Sequence, residues 1–434
     1  MIKEDHMHVR SHKAMSLGAL AAVAALTLTA CSGSSADDGD SADAGASGEA
    51  TELLLWHGYT EADGDVLQKI VDAYNDSQDA CVVNTEPLAW TSISEKLLTS
   101  LGAGNGPNIV VQGVDTGLGY SNQGAFLSQQ AMYDDPETYT SPAAYYEATV
   151  PQVTWDGEAY GVPMGITPFA VYFNPTLWEA AGLTDADYPT TVEELIEVAK
   201  TLTVDENGDG TPEQYGMALQ DQDPGMLSTM LHSGGGDFIT DGVQYLDSPE
   251  NVATMTMWQE VWADQVSPTG LDNTAAMELF GSGRAAMIYN GPWEITSAQA
   301  FGIEVGMFGW PADWVAGVYN YWYATSMNDT DEKMTCTFGF EDFWNGYDQQ
   351  VVWTESYYPP NRNDISEAEF AYPIIADLAQ FSDQSYYYAT GISTSVTDIN
   401  NEVNSMGTQI SQGGDVAELL KATAEKVDGY LASE

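Results

Sequence analysis

Tyr160-Gly-Val-Pro-Met-Gly-Ile-Thr-Pro-Phe-Ala-Val-Tyr-Phe-Asn174 is the stretch that settles how this chain is organised. Gly161, Pro163, Gly165 and Pro168 make turns and bar a helix from its first half. Residues 169–173 then form an apolar and aromatic run long enough for one buried strand. Pro175 stops that strand, and residues 176–182 read as a short helix closed by a glycine. At 434 residues the chain is too long for one compact core. A rigid, proline-bracketed strand near its middle is a natural passage between two lobes.

Upstream of the passage, residues 51–56 read as a strand leading into Trp56-His57-Gly58-Tyr59. A helix follows over 63–75, where Val66, Leu67, Ile70, Val71 and Tyr74 form an apolar stripe at helical spacing. Residues 81–86 give a second strand. Ser92 and Glu95 spell a capping box for a helix over 92–101, which the glycines of 102–106 end. A third strand over 108–112 ends near Asp115. Strands alternating with helices imply a mostly parallel sheet covered on both faces, with ligands held beyond the carboxyl ends of the strands. Gly-Ala-Gly-Asn-Gly at 102–106 is no dinucleotide loop, because it follows a helix and precedes a strand.

Downstream, Thr191 and Glu194 form a capping box for a helix whose Val192, Leu195, Ile196, Ala199 and Leu202 share one side. Asp205, Asn207, Asp209 and Gly210 then match the opening half of an EF-hand calcium loop, but its twelfth position is Gly216 and the bidentate carboxylate is missing. Calcium at Asp205, Asn207 and Asp209 is the one metal expectation; no cofactor is required. The stretch Leu279-Phe-Gly-Ser-Gly-Arg-Ala-Ala-Met-Ile-Tyr-Asn-Gly-Pro-Trp293 joins a helix end to a strand and a turn. Residues 319–325 read as a further strand opening into Tyr321-Trp322-Tyr323, Arg362 closes a Pro-Pro-Asn-Arg turn, and Asp415 with Glu418 caps a last helix over 415–431.

Tyr-Gly-Val-Pro, a short gap, an apolar strand ending Tyr-Phe-Asn and a helix ending Ala-Ala-Gly-Leu resemble the inter-lobe crossover of extracellular solute-binding proteins. These are the substrate-capturing components of bacterial ABC importers, and the likeness is to their sugar-binding, maltose-binding-protein-like branch. The run from Phe280 to Trp293 resembles that family's second lobe, and residues 305–311 its return crossover. The resemblance implies a two-lobed α/β periplasmic-binding-protein-like fold, each lobe a mostly parallel sheet flanked by helices, with the ligand cleft between them. Residues 51–166 and 312–380 would form the first lobe, and 167–311 and 381–434 the second, with crossovers near 167–172 and 307–311. It implies capture of a carbohydrate, an oligosaccharide in particular, by hinge closure of a monomer, and delivery to the membrane subunits of an ABC importer.

The resemblance also implies a site. Trp56, His57, Trp90 and Asp115 lie at first-lobe strand ends, where such ligands sit. Trp293 follows Gly-Pro at the position where the family stacks a sugar. Tyr321 and Trp322 come just after the return crossover, where relatives often carry Gly-Gly-Trp instead. Arg362 stands in a turn that the family points inward.

Residues 1–30 carry Lys3, Arg10 and Lys13 before an apolar run that is too short for a membrane span, so they read as a signal peptide. Leu28-Thr29-Ala30-Cys31 resembles a lipobox, which implies a lipid anchor on Cys31 and a place on the outer face of the cytoplasmic membrane. Residues 31–50, rich in Asp, Gly, Ser and Ala, form a flexible acidic tether. Past residue 30 the chain holds 63 acidic and 8 basic residues, a net charge of −55. That excludes nucleic acid as a partner and favours a cationic ligand, so a peptide or polyamine binder is an alternative. An exported chain permits a disulfide between Cys81 and Cys336, but they are far apart in sequence and nothing fixes their geometry, so two buried free thiols are the preferred reading. The chain is not read as an enzyme. Only His57 and His232 remain past residue 30, and no nucleophile elbow or His-Glu-x-x-His motif occurs. A secreted glycosidase would need only paired carboxylates, and among 63 acids such pairs carry no specificity.

Overall fold

The computed structural model describes residues 50–60, 62–147, 149–240, 242–313, 315–382, 385–387, 392 and 395–433. The signal segment, Cys31 and the tether up to residue 49 lie outside the described residues. No helix among the described residues is long and apolar enough to cross a membrane.

The first sheet grows from the N-terminal strands. Thr51–His57 pairs in parallel with Cys81–Pro87 on one side and with Ile109–Gly113 on the other. Helix Ala62–Ser77 covers it with Leu67, Ile70, Val71 and Tyr74, the stripe read from the sequence. Helix Trp90–Gly102 begins two residues before the expected Ser92 cap, with Ala89 at the cap and no side-chain hydrogen bond there. The strand Val162–Pro168, buried throughout, joins this sheet by pairing with Val315–Ala324.

One residue later the chain is in the second sheet. Ala170–Phe173 pairs antiparallel with Ala285–Asn290 and with Gly306–Phe308, so the change of lobe falls at Phe169. The strand order is Gly306–Phe308, Ala170–Phe173, Ala285–Asn290, Tyr215–Ala218. Only the last pairing is parallel, so this sheet is mixed where a mostly parallel one was expected. The physical reason is the crossover itself: a strand delivered from the other sheet runs against both of its neighbours. The return strand Val315–Ala324 is longer than the expected 319–325 and lies antiparallel to both Ile109–Gly113 and Val162–Pro168.

Each sheet has its own core. Helices Asp331–Trp344 and Tyr347–Trp353 add Phe340, Trp344 and Trp353 to Leu53, Leu55, Val83 and Trp322 in the first. In the second, the C-terminal helices Val396–Ser411 and Val416–Leu431 pack Ile399, Val403, Met406 and Leu420 against Met226, Leu227, Trp258 and Trp262. Each such side chain contributes roughly 1.5–3 kcal/mol on leaving water. The cap side chains read from the sequence hold here: Thr191 Oγ1 accepts from the Glu194 amide at 3.2 Å, and the Asp415 carboxylate from the Glu418 amide at 3.0 Å. The Thr191 box is not closed, because the Glu194 carboxylate accepts from the Thr190 amide at 2.9 Å instead.

The two cysteines correct the sequence reading. Cys81 opens the strand Cys81–Pro87 and Cys336 sits on helix Asp331–Trp344, and they are joined in a disulfide across a sequence separation of 255, with Cα atoms 5.7 Å apart. Both belong to the first-sheet core, so tertiary packing supplies the proximity that the sequence conceals.

Candidate functional site

Two adjoining cavities, of about 600 and 440 Å³, lie where the sheets face each other and share Trp90, Val318 and Asn320 as lining. The chain reaches them at four kinds of place. The segment just past Thr51–His57 gives Gly58, Tyr59 and Thr60. The starts of helices Trp90–Gly102 and Val114–Asn122 give Trp90 and Asp115. The return strand gives residues 316–320. The second lobe gives Asp223 at the cap of helix Pro224–Ser233 and Trp293 at the start of helix Trp293–Ala300.

Both tryptophans lie on glycines. A Cβ on Gly58 would sit 2.1 Å from the ring of Trp90, and one on Gly291 would sit 2.2 Å from the ring of Trp293. The bare backbone is thus what lets each flat ring lie down at its wall. Trp90 remains 39% exposed and meets the edge of Tyr59 at 5.3 Å. Trp293 meets Phe169 edge-on at 5.4 Å, and its indole Nε1 is buried with no hydrogen-bond partner among the described residues. Phe169, the residue at which the chain changes sheets, therefore also lines the larger cavity.

The polar lining is acidic. Asp223 Oδ1 accepts from the Met226 amide at 2.8 Å. Burial pushes the carboxyls of Asp115 and Asp223 above the usual range. In the smaller cavity, the Tyr358 hydroxyl lies 3.4 Å from Asp63 Oδ2. Asn320 Nδ2 donates to the Tyr59 hydroxyl at 2.9 Å. The burial of Tyr59 raises its phenol, which stays protonated and able to donate.

Of the eight ligand residues expected from the sequence, Trp90, Asp115 and Trp293 line these cavities and five do not. Trp56 is 5% exposed, packs with Ile93 and Leu97, and donates Nε1 to Glu86 Oε2 at 2.8 Å. His57 is buried as well, which lowers its pKa to about 4 and leaves it neutral. Tyr321 is buried in the same cluster as Trp56 and donates to the Thr149 carbonyl at 2.9 Å. Trp322 has no exposure and packs edge-on against Phe340 and Trp344. The return strand lies inside its sheet, so its aromatic run fills cores on both faces. Arg362 is held away from the cavities by Asp364, through Nε at 2.8 Å and Nη2 at 2.7 Å, and by the Asn345 carbonyl at 2.9 Å. It is Asn361 that turns inward, accepting from the Ile166 amide at 3.2 Å.

Tyr59, Asp63, Phe169, Asp223, Asn320 and Tyr358 were missed. Two carried a usable signal. Tyr59 follows a strand end within the quoted Trp-His-Gly-Tyr, and Asn320 is a polar interruption in an aromatic strand. The calcium expectation finds no support: among the described residues no group of three His, Cys, Asp or Glu side chains is placed to hold a metal. Asp205 accepts from the amides of Gly208 and Gly210, Asn207 from Asp209, and Asp209 from Thr211, so the loop is closed by its own backbone.

A family model described as bacterial extracellular solute-binding protein matches residues 69–401. A putative binding protein of Brucella abortus is 23% identical over 401 residues, covering 86% of this chain and 91% of that one. A maltodextrin-binding protein of Bacillus subtilis is 25% identical over 213 residues, 47% of either chain. An ABC substrate-binding protein from Listeria monocytogenes, solved in complex with cycloalternan, superposes with a TM-score of 0.75 at 18% identity, covering 88% of this chain and 99% of that one. The GacH receptor of Streptomyces glaucescens, solved unliganded and with acarbose, gives 0.75 at 16% identity, with coverage of 88% and 99%. At such identities the likeness establishes the two-lobed fold. With its family model spanning about three quarters of the sequence, the chain belongs to the bacterial extracellular solute-binding proteins.

Proposed function

We propose that this protein captures an oligosaccharide outside the cell between its two lobes and hands it to an ABC importer. The observation that carries the reading is the pair Trp90 and Trp293, one from each lobe, lining one continuous cleft whose rim is polar. A pyranose has an apolar face of C–H groups and an edge of hydroxyls. It therefore fits a cleft with flat aromatic walls and a few convergent polar groups. Asp63, Asp115, Asp223 and Asn320 are the acceptors offered to those hydroxyls, and each charged acceptor contributes roughly 1.5–3 kcal/mol. The relatives solved with cycloalternan and acarbose bound support the same class of ligand. A lipid anchor at Cys31 would keep the captor beside its importer, and Cys31→Ser should release the protein from membranes.

The test is titration calorimetry with neutral malto-, cello- and galacto-oligosaccharides beside peptides and polyamines. At least one oligosaccharide should bind and be recovered intact by mass spectrometry. Trp90→Ala and Trp293→Ala should each weaken it by about thirtyfold, as hot-spot aromatics do. Trp322→Ala should instead cost about 3–5 kcal/mol of stability, as large-to-small core changes do. Binding of a peptide or polyamine alone, or a shortened oligosaccharide, would overturn the reading.

A further inference from the structure

The cleft's charge is one-sided. Asp115 and Asp223 enter the larger cavity from different lobes, the exposed Glu95 stands at its edge, and among the described residues no Lys, Arg or His lines either cavity. The undescribed residues between Tyr387 and Ser395 add no basic residue. Arg362, Lys69, Lys333 and Lys426 are all paired with carboxylates elsewhere. A second observation points at a ligand. Gln112 is 4% exposed and lines the same cavity, and its amide Nε2 has no hydrogen-bond partner among the described residues. A buried donor left unmade is costly, so it calls for an acceptor that the ligand supplies.

These groups recognise a definite chemistry. Carboxylates without a countercharge, here Asp115 and Asp223 with Glu95 at the edge, accept from hydroxyls and, more strongly, from an ammonium. The free amide donates to a hydroxyl or ring oxygen. A carboxylate or phosphate on the ligand would meet like charges in a space that closure desolvates, and that juxtaposition is strongly unfavourable. We infer that the cleft sorts saccharides by charge: it takes those that are neutral or carry an amino group and refuses those bearing a carboxylate or phosphate, with Asp115 and Asp223 as the specificity-determining pair. The inference rests on the carbohydrate reading above. It adds a selectivity that the aromatic walls alone would not give.

The experiment compares the tightest neutral oligosaccharide of the panel with its 6-amino-6-deoxy and 6-carboxy derivatives, by calorimetry in 0.15 M and 1 M NaCl. The overall negative charge of the chain acts at long range and is screened at the higher salt, whereas contacts inside the cleft persist. The amino derivative should bind at least as tightly as the parent. The carboxy derivative should bind about a hundredfold more weakly at both salts. In Asp115→Asn/Asp223→Asn the ratio of neutral to carboxy affinity should shrink about tenfold, because the repulsion between these groups is removed. Asparagine caps a helix as well as aspartate does, so helix Pro224–Ser233 keeps its start. Equal binding of the carboxy derivative, a penalty that vanishes at 1 M salt, or a ratio unmoved by the double variant overturns the charge inference and leaves the carbohydrate reading standing. Failure of every neutral oligosaccharide overturns both.

Discussion

Glu294 follows the cleft tryptophan Trp293 in the chain and has no exposed surface. Asn290 Nδ2 donates to its Oε2 at 3.0 Å, while Oε1 has no partner among the described residues. Desolvation pushes its carboxyl up to about 8 from an unfolded value of 4.5. The folded state thus holds this proton more tightly than the unfolded chain does. Its contribution to stability is complete below the unfolded pKa and is lost as pH rises through the folded one. Glu294→Gln keeps an acceptor for Asn290 and removes the charge. In scanning calorimetry its melting temperature should match the wild type near pH 4.5 and exceed it by about 5 °C at pH 8.5. An offset that does not change with pH would show that Glu294 is not titrating there. At this scale the sequence announced residue types better than their directions. Trp56 and Tyr59 stand three positions apart at one strand end, yet the first turns into the core and the second toward the cleft. Alternation along the strand decides such directions, and where the strand ends decides the alternation.

The crossover was the most legible element, because prolines and glycines restrict backbone angles whatever surrounds them. Helix Val114–Asn122 was illegible for the opposite reason: its Gly117 and Gly119 give no apolar stripe, and Gly117 is there to admit the Tyr323 hydroxyl, from which a Cβ would stand 2.4 Å. The Ser92 box failed because the helix starts at Trp90, directly after the strand Cys81–Pro87 and a two-residue link. The disulfide between Cys81 and Cys336 was hidden by a separation of 255 residues, and that long loop is also what gives it leverage on the unfolded chain. Cys81→Ser/Cys336→Ser should lower stability by about 2–5 kcal/mol in denaturant titration. The loss should fall on the first lobe, since both cysteines pack in its core. Loss of ligand binding without loss of stability would contradict that assignment.

For the whole molecule, the two strands beside Phe169 and those around Gly306–Phe308 and Val315–Ala324 are where rotation of one lobe against the other would be absorbed. A ligand that touches both lobes binds the closed arrangement better and shifts the population toward it. Small-angle scattering should therefore show a smaller radius of gyration on saturation with a bound oligosaccharide, and an unchanged radius would count against closure. The two-lobed plan was legible because two crossover motifs bracket the second lobe in the sequence. The pairing of the second sheet was not, since register depends on neighbours contributed from distant segments. One consequence of the interleaved chain concerns its synthesis. The first sheet lacks the strand that joins Ile109–Gly113 to Val162–Pro168 until Val315–Ala324 has been made, and the second core lacks two helices until Leu431. Ribosomes add about 5–20 residues per second, so a nascent chain spends tens of seconds with neither lobe able to close. For a member of a family of extracellular proteins, that delay before folding is built into the topology.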